Sequence, residues 1–144
     1  MIDDALIRPD AVLRFDQLGS GPAALLLHAG GERRRVWHKI MEPLAQCGFL
    51  TVAYDQRGHG ESGGSLDAPL TAFGADTAAM IEHLISPVVV GASLGGLPHY
   101  PLWPIRKFGR MLPGWCLSMW CLIPIQCARD RSSRAMACIG VALS

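Results

Sequence analysis

Half of the 144 residues are apolar, enough to bury one hydrophobic core. The formal net charge of +1 gives no electrostatic basis for binding nucleic acid or an anionic membrane. No cationic stretch leads into a short apolar run at the start of the sequence, so no secretory signal is read and a cytoplasmic location is expected. Cys47 stands alone, while Cys116, Cys121, Cys127 and Cys138 crowd the last third without a C-x-x-C pair. They read as free thiols, and neither a disulfide framework nor a metal site is expected.

Residues 11–16 predict a first strand, closed by the turn signal Gly19-Ser20-Gly21-Pro22. Residues 23–27 predict a second, too uniformly apolar for a half-exposed edge and suited to a sheet covered on both faces. The spacing of Val36, Trp37, Ile40, Met41 and Leu44 predicts a helix over 33–47, strained by Pro43 and stopped by Gly48. Residues 49–54 predict a third strand, followed by a glycine-rich loop over 57–64. Phe73, Thr77, Met80, Ile81 and Leu84 predict the inward face of a helix over 71–84. Strands alternating with helices over short connections predict a doubly wound, mostly parallel sheet. Ligands bind such sheets beyond the carboxyl ends of the strands, where His28, Asp55 and Ser93 all emerge.

The most informative segment follows. Val88-Val89-Val90 reads as a buried parallel strand and runs directly into Gly91-Ala92-Ser93-Leu94-Gly95. A serine on so tight a strand-to-helix turn is held in a strained conformation with its hydroxyl exposed above the sheet. Glycines two residues to either side leave room for the crossing strand and helix.

Three pieces occur in a telling order: Leu25-Leu26-Leu27-His28-Ala29-Gly30-Gly31, then Tyr54-Asp55-Gln56-Arg57-Gly58-His59-Gly60-Glu61-Ser62, then the turn at Ser93. In these the chain resembles the α/β-hydrolase family, especially its small esterase-like and non-haem-peroxidase-like members. His28-Ala29 stands where the family usually has His-Gly. The resemblance implies that Ser93 is the nucleophile, and that the N–H groups of Leu94 and Gly30 hold the oxyanion of an acyl intermediate. It implies orienting roles for His28, Asp55 and Arg57 within their loops. It also implies a small ester or acyl compound as substrate and no cofactor. Hydrolysis and perhydrolysis of the non-haem-peroxidase type both remain open. His38, His59 and His83 read as surface or turn residues, and Arg33-Arg34-Arg35 as a solvated corner.

After Leu97 the character changes. Pro98, Pro101 and Pro104 fall where a long helix should follow the serine turn, and the interior of a helix does not accept the last two. Reading the last base of each codon with the first two of the next forces valine at Trp115-Cys116, Met119-Trp120 and Trp120-Cys121. The same shift forces leucine at His99-Tyr100 and alanine at Trp103-Pro104. The forced residues suit a helix and then an apolar strand, in the order the family would require. Residues 1–97 are accordingly read as the N-terminal part of an α/β-hydrolase domain, cut short after the serine turn, and 98–144 as a poorly ordered out-of-frame tail.

After Ser93 the family places an acid and then a histidine. Here the sequence offers His99 and then Asp130, in reversed order. The expectation is a serine hydrolase fold that is nearly inactive as this chain, since loss of a triad member removes most of the rate. The rival from another class is a non-catalytic fragment retained for interaction. The apolar run 111–125 is too short to span a membrane and is broken by Pro113 and Pro124.

Overall fold

A computed structural model of the chain describes residues 1–85 and 87–96. Its architecture follows from the two-residue period of its central strands, which sends alternate side chains to opposite faces. Strand β3 (Ala23–Leu27) lies parallel to β4 (Leu50–Tyr54), with Leu25 opposite Val52 and Leu27 opposite Tyr54. Leu25, Leu27, Val52 and Tyr54 face helix α2 (Leu70–Leu84), where they bury Met80 and Ile81. Leu26 and Ala53 point the other way, onto Trp37, Ile40, Met41 and Leu44 of the segment around helix α1 (His38–Gln46). Two helices on two faces of one sheet is the doubly wound arrangement anticipated from the sequence. Each fully buried leucine in these layers contributes roughly 1.5–3 kcal/mol.

The five described strands are ordered β1-β2-β4-β3-β5, with β1 at Ile2–Ile7, β2 at Val12–Leu18 and β5 at Val88–Gly91. Strand β5 runs parallel to β3, whereas β1 pairs antiparallel with β2 and β2 antiparallel with β4. The described sheet is thus mixed. Strand β1 has no counterpart among the expected elements. Its sequence, Ile-Asp-Asp-Ala-Leu-Ile, places two acids in succession and lacks the alternation that marks a half-buried strand. Strand β2 extends two residues beyond the expected end because Gln17 and Leu18 pair with Val52 and Thr51.

The helix expected over 33–47 is divided. Arg34–Trp37 forms a 3-10 turn and the α-helix proper begins at His38. Its backbone is pinned at the start, where the Arg34 N–H donates to Asp55 Oδ1 over 2.6 Å. Val36 consequently turns outward and is 43% exposed, against the expectation that it lines the core. Pro43 stays inside the helix, and Gly48 ends it with φ +87°. Strand β5 departs from expectation in burial: Val88 and Val90 are 40% and 38% exposed. Val89 packs toward the α2 layer, while helix α1 lies over β4 and β2, so that no helix among the described residues covers the opposite face of β5. The residues expected to differ in character, 98–144, lie outside the described residues, as does the expected helix after the serine turn.

Helix α2 closes on Ile85 with φ +56°, a left-handed conformation that a β-branched residue adopts only under strain. Its side chain is 86% exposed and so loses no packing on removal. The left-handed penalty of about 1–2 kcal/mol exceeds the backbone entropy that glycine adds, about 0.5–1 kcal/mol. Ile85→Gly should therefore stabilise the protein by about 1 kcal/mol, read as a higher urea midpoint at unchanged m-value.

Candidate active site

The turn after β5 is built by two close approaches. A Cβ on Gly95 would lie 2.5 Å from Leu27 Cβ and 2.6 Å from the Leu27 carbonyl oxygen, so only glycine lets the 3-10 turn Ser93–Gly96 press against the end of β3. A Cβ on Gly91 would overlap the Gly95 carbonyl. The Ala92 N–H donates to the Leu27 carbonyl at 3.0 Å, and the Gly95 N–H to that of Ala92 at 2.9 Å. Between these clamps Ser93 adopts φ +46° and remains exposed. A non-glycine residue in this region stores strain of order 1–3 kcal/mol and persists only where its surroundings impose it.

Beside this turn runs the loop after β3. Gly30 lies beside the residue that follows the serine: a Cβ on Gly30 would sit 3.7 Å from Leu94 Cδ2 and 3.8 Å from Leu94 Cβ. Among the described residues no acceptor meets the N–H of Gly30 or of Leu94. Among these residues the two backbone donors on adjoining turns are thus unspent.

His28 ties this loop to the next. Its Nδ1 is 2.7 Å from the Ala29 carbonyl and must donate, while the Gln56 N–H donates to its Nε2 at 3.0 Å. Gln56 Nε2 in turn donates to the His28 carbonyl at 2.7 Å. The ring is fully buried, neutral, fixed as the Nδ1–H tautomer, and has both nitrogens committed. Burial holds its pKa below the ordinary histidine value, with His59 pushing the same way and the Ala29 carbonyl, Asp55 and Glu32 opposing. The His59 ring lies tilted against it, with ring centroids 5.1 Å apart.

Asp55 and Arg57 hold the loop after β4. The Asp55 carboxylate accepts the N–H of Arg34 and, at 2.9 Å, that of Glu61, and it pairs with the Arg34 guanidinium. Gly60 has no side chain because the carboxylate fills the space one would need. Ser62 Oγ donates to the Asp55 carbonyl at 2.6 Å and accepts the Arg14 N–H at 2.8 Å. Arg57 forks onto Asp76 of α2, with Nε at 2.7 Å and a terminal nitrogen at 3.0 Å, and reaches Asp10 at 2.9 Å. These bonds raise the Arg57 pKa, Asp76 most strongly, and hold Asp10 below the usual carboxylate range.

The structure therefore brings Ser93, Leu94 and Gly30 together, and places His28, Asp55 and Arg57 in the loops beneath. Three expectations are corrected. Arg34 is no solvated corner: it is 4% exposed and pairs with Asp3, Asp16, Asp55 and Glu61. Burial opposes its charge, but hydrogen bonds to Glu61, Asp55 and Asp16 outweigh this and raise its pKa. His59 is buried, because its Nδ1 donates to the Arg57 carbonyl at 3.0 Å and its ring packs edge-on to Phe73. His38 is half-buried, 2.6 Å from Asp16. No feature of the Arg33-Arg34-Arg35 run distinguishes its middle member. The signal lies in four acids far apart in sequence, which only the fold assembles.

His99 and Asp130 lie outside the described residues. Among the described residues no hydrogen bond joins the Ser93 hydroxyl to a base, no cluster of His, Cys, Asp or Glu is placed to hold a metal ion, and no helix is long and apolar enough to cross a membrane. A polar cleft of about 370 Å³, lined by Asp3, Asp16, Arg34, Arg35, His38 and Glu61, does not include Ser93.

Comparison with known proteins places this geometry. The family model for the alpha/beta hydrolase fold matches residues 22–98, just over half of the chain. Bifunctional epoxide hydrolase 2 of Sus scrofa is 44% identical over 57 residues, covering 40% of this chain and 10% of that protein. A Mycobacterium tuberculosis protein described as a non-heme bromoperoxidase, BpoC, is 34% identical over 86 residues, covering 58% of this chain and 33% of that protein. The solved thioesterase domain from the curacin biosynthetic pathway superposes with a TM-score of 0.63 at 27% identity, over 67% of this chain and 38% of that domain. The chain thus spans a third or less of the length of these two curated relatives.

Two outcomes test the site's framework. Arg34→Leu strands the buried carboxylates of Asp16 and Asp55 and should destabilise by about 3–5 kcal/mol, while Arg35→Leu, with a side chain 71% exposed, should stay within about 0.5 kcal/mol. Chemical denaturation of both variants checks this. For His28, the unfolded chain takes up a proton near the ordinary pKa of 6.5 and the folded protein does not until lower pH. Its contribution is full above that value and lost as pH falls below it. Stability measured from pH 7.5 to 5.5 should fall less steeply in His28→Gln than in the unaltered protein.

Proposed function

The chain belongs to the α/β-hydrolase family, and from that premise we propose that Ser93 is an acyl-accepting nucleophile acting on small esters or thioesters. The observation that carries this reading is the conjunction at the turn: a serine at φ +46°, exposed, with N–H groups of Leu94 and Gly30 on adjoining turns that meet no acceptor among the described residues. When Ser93 Oγ attacks an acyl carbonyl, a C–O bond forms and the carbonyl electron pair moves to oxygen. Two fixed donors then meet charge that exists only in the transition state and intermediate, the arrangement that lowers a barrier most. The intermediate collapses with loss of the alcohol or thiol, and water releases the acid in a second step. His28 has no nitrogen to spare for proton transfer. With Asp55 and Arg57 it serves to orient the loops.

The nucleophile decides against carrying over the epoxide chemistry named for some relatives. An alkoxide that opens an epoxide leaves an ether, which water does not cleave, so Ser93 would be consumed. A carboxylate would leave an ester that water can open, but this turn carries serine. Perhydrolysis is the second reading, supported by the match to BpoC, which at 86 residues is longer than that to the epoxide hydrolase. It uses the same acyl-enzyme, opened by hydrogen peroxide in place of water.

Within these 144 residues His99 and Asp130 follow Ser93 in the reverse of the family's order. We therefore expect acylation by activated reagents but slow turnover, in keeping with residues 98–144 being out of frame. A fluorophosphonate should label Ser93 stoichiometrically, and Ser93→Ala should abolish labelling. Turnover of p-nitrophenyl acetate should fall at least a thousandfold short of a complete triad enzyme, in line with the ~10⁴–10⁶-fold losses on removing triad members. Labelling elsewhere, or rapid turnover that survives Ser93→Ala, would overturn the assignment.

A further inference from the structure

We propose that Glu32 is a positioning residue that fixes the direction of the Gly30 N–H; this role rests on the reading of Ser93 as an acyl nucleophile. Residues 29–32 form a tight turn closed by the Glu32 N–H donating to the Ala29 carbonyl at 3.1 Å, with Gly31 at φ +80° in its third position. The Ala29 carbonyl also receives His28 Nδ1–H at 2.7 Å. That carbonyl belongs to the same planar peptide unit as the Gly30 N–H, and in a trans peptide the two point in opposite directions. Anchoring the oxygen therefore aims the donor.

Two consecutive glycines would otherwise leave this turn with more conformational freedom than any other pair of residues. The Glu32 side chain limits it. Its Oε2 accepts the Ala29 N–H at 3.2 Å, so Glu32 grips Ala29 from both ends, by its own N–H at the carbonyl and by its carboxylate at the amide. The bond also commits the Ala29 N–H, which removes it from the donors this loop can offer. Glu32 is exposed and no other described residue shares its carboxylate, so structural support of the core is not its task.

The test is the rate at which a fluorophosphonate labels the full chain at Ser93, where the Oγ–P bond forms, fluoride leaves and the hydroxyl proton passes to buffer. Glu32→Ala should slow labelling about tenfold, less than the ~10²–10³ lost on deleting an oxyanion donor outright. It should also speed amide hydrogen exchange at Ala29 while leaving the thermal midpoint unchanged. Glu32→Gln keeps an acceptor and should return the labelling rate to within about twofold of the unaltered protein. Should Glu32→Ala not express, Glu32→Leu, which likewise has no acceptor, gives the same comparison. An unchanged labelling rate in the alanine variant, or failure of glutamine to restore it, would overturn the role of Glu32 alone. No labelling of Ser93 in the unaltered chain would overturn the nucleophile reading and this role with it.

Discussion

The end of β3 is the post on which the candidate site is built. Leu27 is fully buried, and its backbone and Cβ lie within van der Waals contact of Gly95, while its carbonyl accepts the Ala92 N–H. One residue later the chain turns through His28 into the loop that carries Gly30. The serine turn and the donor loop are therefore referred to the same few atoms, and their separation is set by packing rather than by two independent loops. Glycine at 91 and 95 is what permits so close an approach. Burial of Leu25, Leu26 and Leu27 between two helix layers keeps the post rigid.

A second, polar framework locks the loops after β3 and β4 together. Asp55 gathers the backbone of Arg34 and Glu61 and the guanidinium of Arg34, and His28 bridges to Gln56. Placing charges in a low-dielectric interior is costly, and an ion pair there contributes little net stability over an apolar alternative. What it supplies is directional: a carboxylate with several donors around it has few acceptable positions. The loops follow. Arg57 extends the same logic to helix α2 through its fork on Asp76.

The departures from ordinary folding preference are concentrated where chemistry is proposed. Ser93 occupies a left-handed conformation, and the donors of Gly30 and Leu94 lack partners among the described residues. Such local conflicts are what a site poised for a developing charge should show, with the surrounding sheet supplying the free energy that sustains them. Ile85 shares the left-handed conformation without any of this context, which separates strain at a helix end from strain at a site.

Legibility in the sequence divided along physical lines. Strands β3 and β4, the inward face of α2, most of that of α1 and the serine turn are written in short-range patterns: short apolar runs, a 3.6-residue period, and glycines at fixed offsets from Ser93. Adjacent residues decide these, so the sequence by itself determined them, down to the order of the three segments around His28, Asp55 and Ser93. Strand β1 was illegible because an edge strand is stabilised by its neighbour's backbone, which leaves no mark on its own side chains. The buried roles of Arg34 and His59 were equally hidden. Whether a charged or polar side chain is solvated or enclosed depends on partners brought from distant positions, here Asp3, Asp16, Asp55 and Glu61 around Arg34 and His28 and Phe73 around His59. Only the tertiary structure could decide that, because electrostatic and packing environments are properties of neighbours in space.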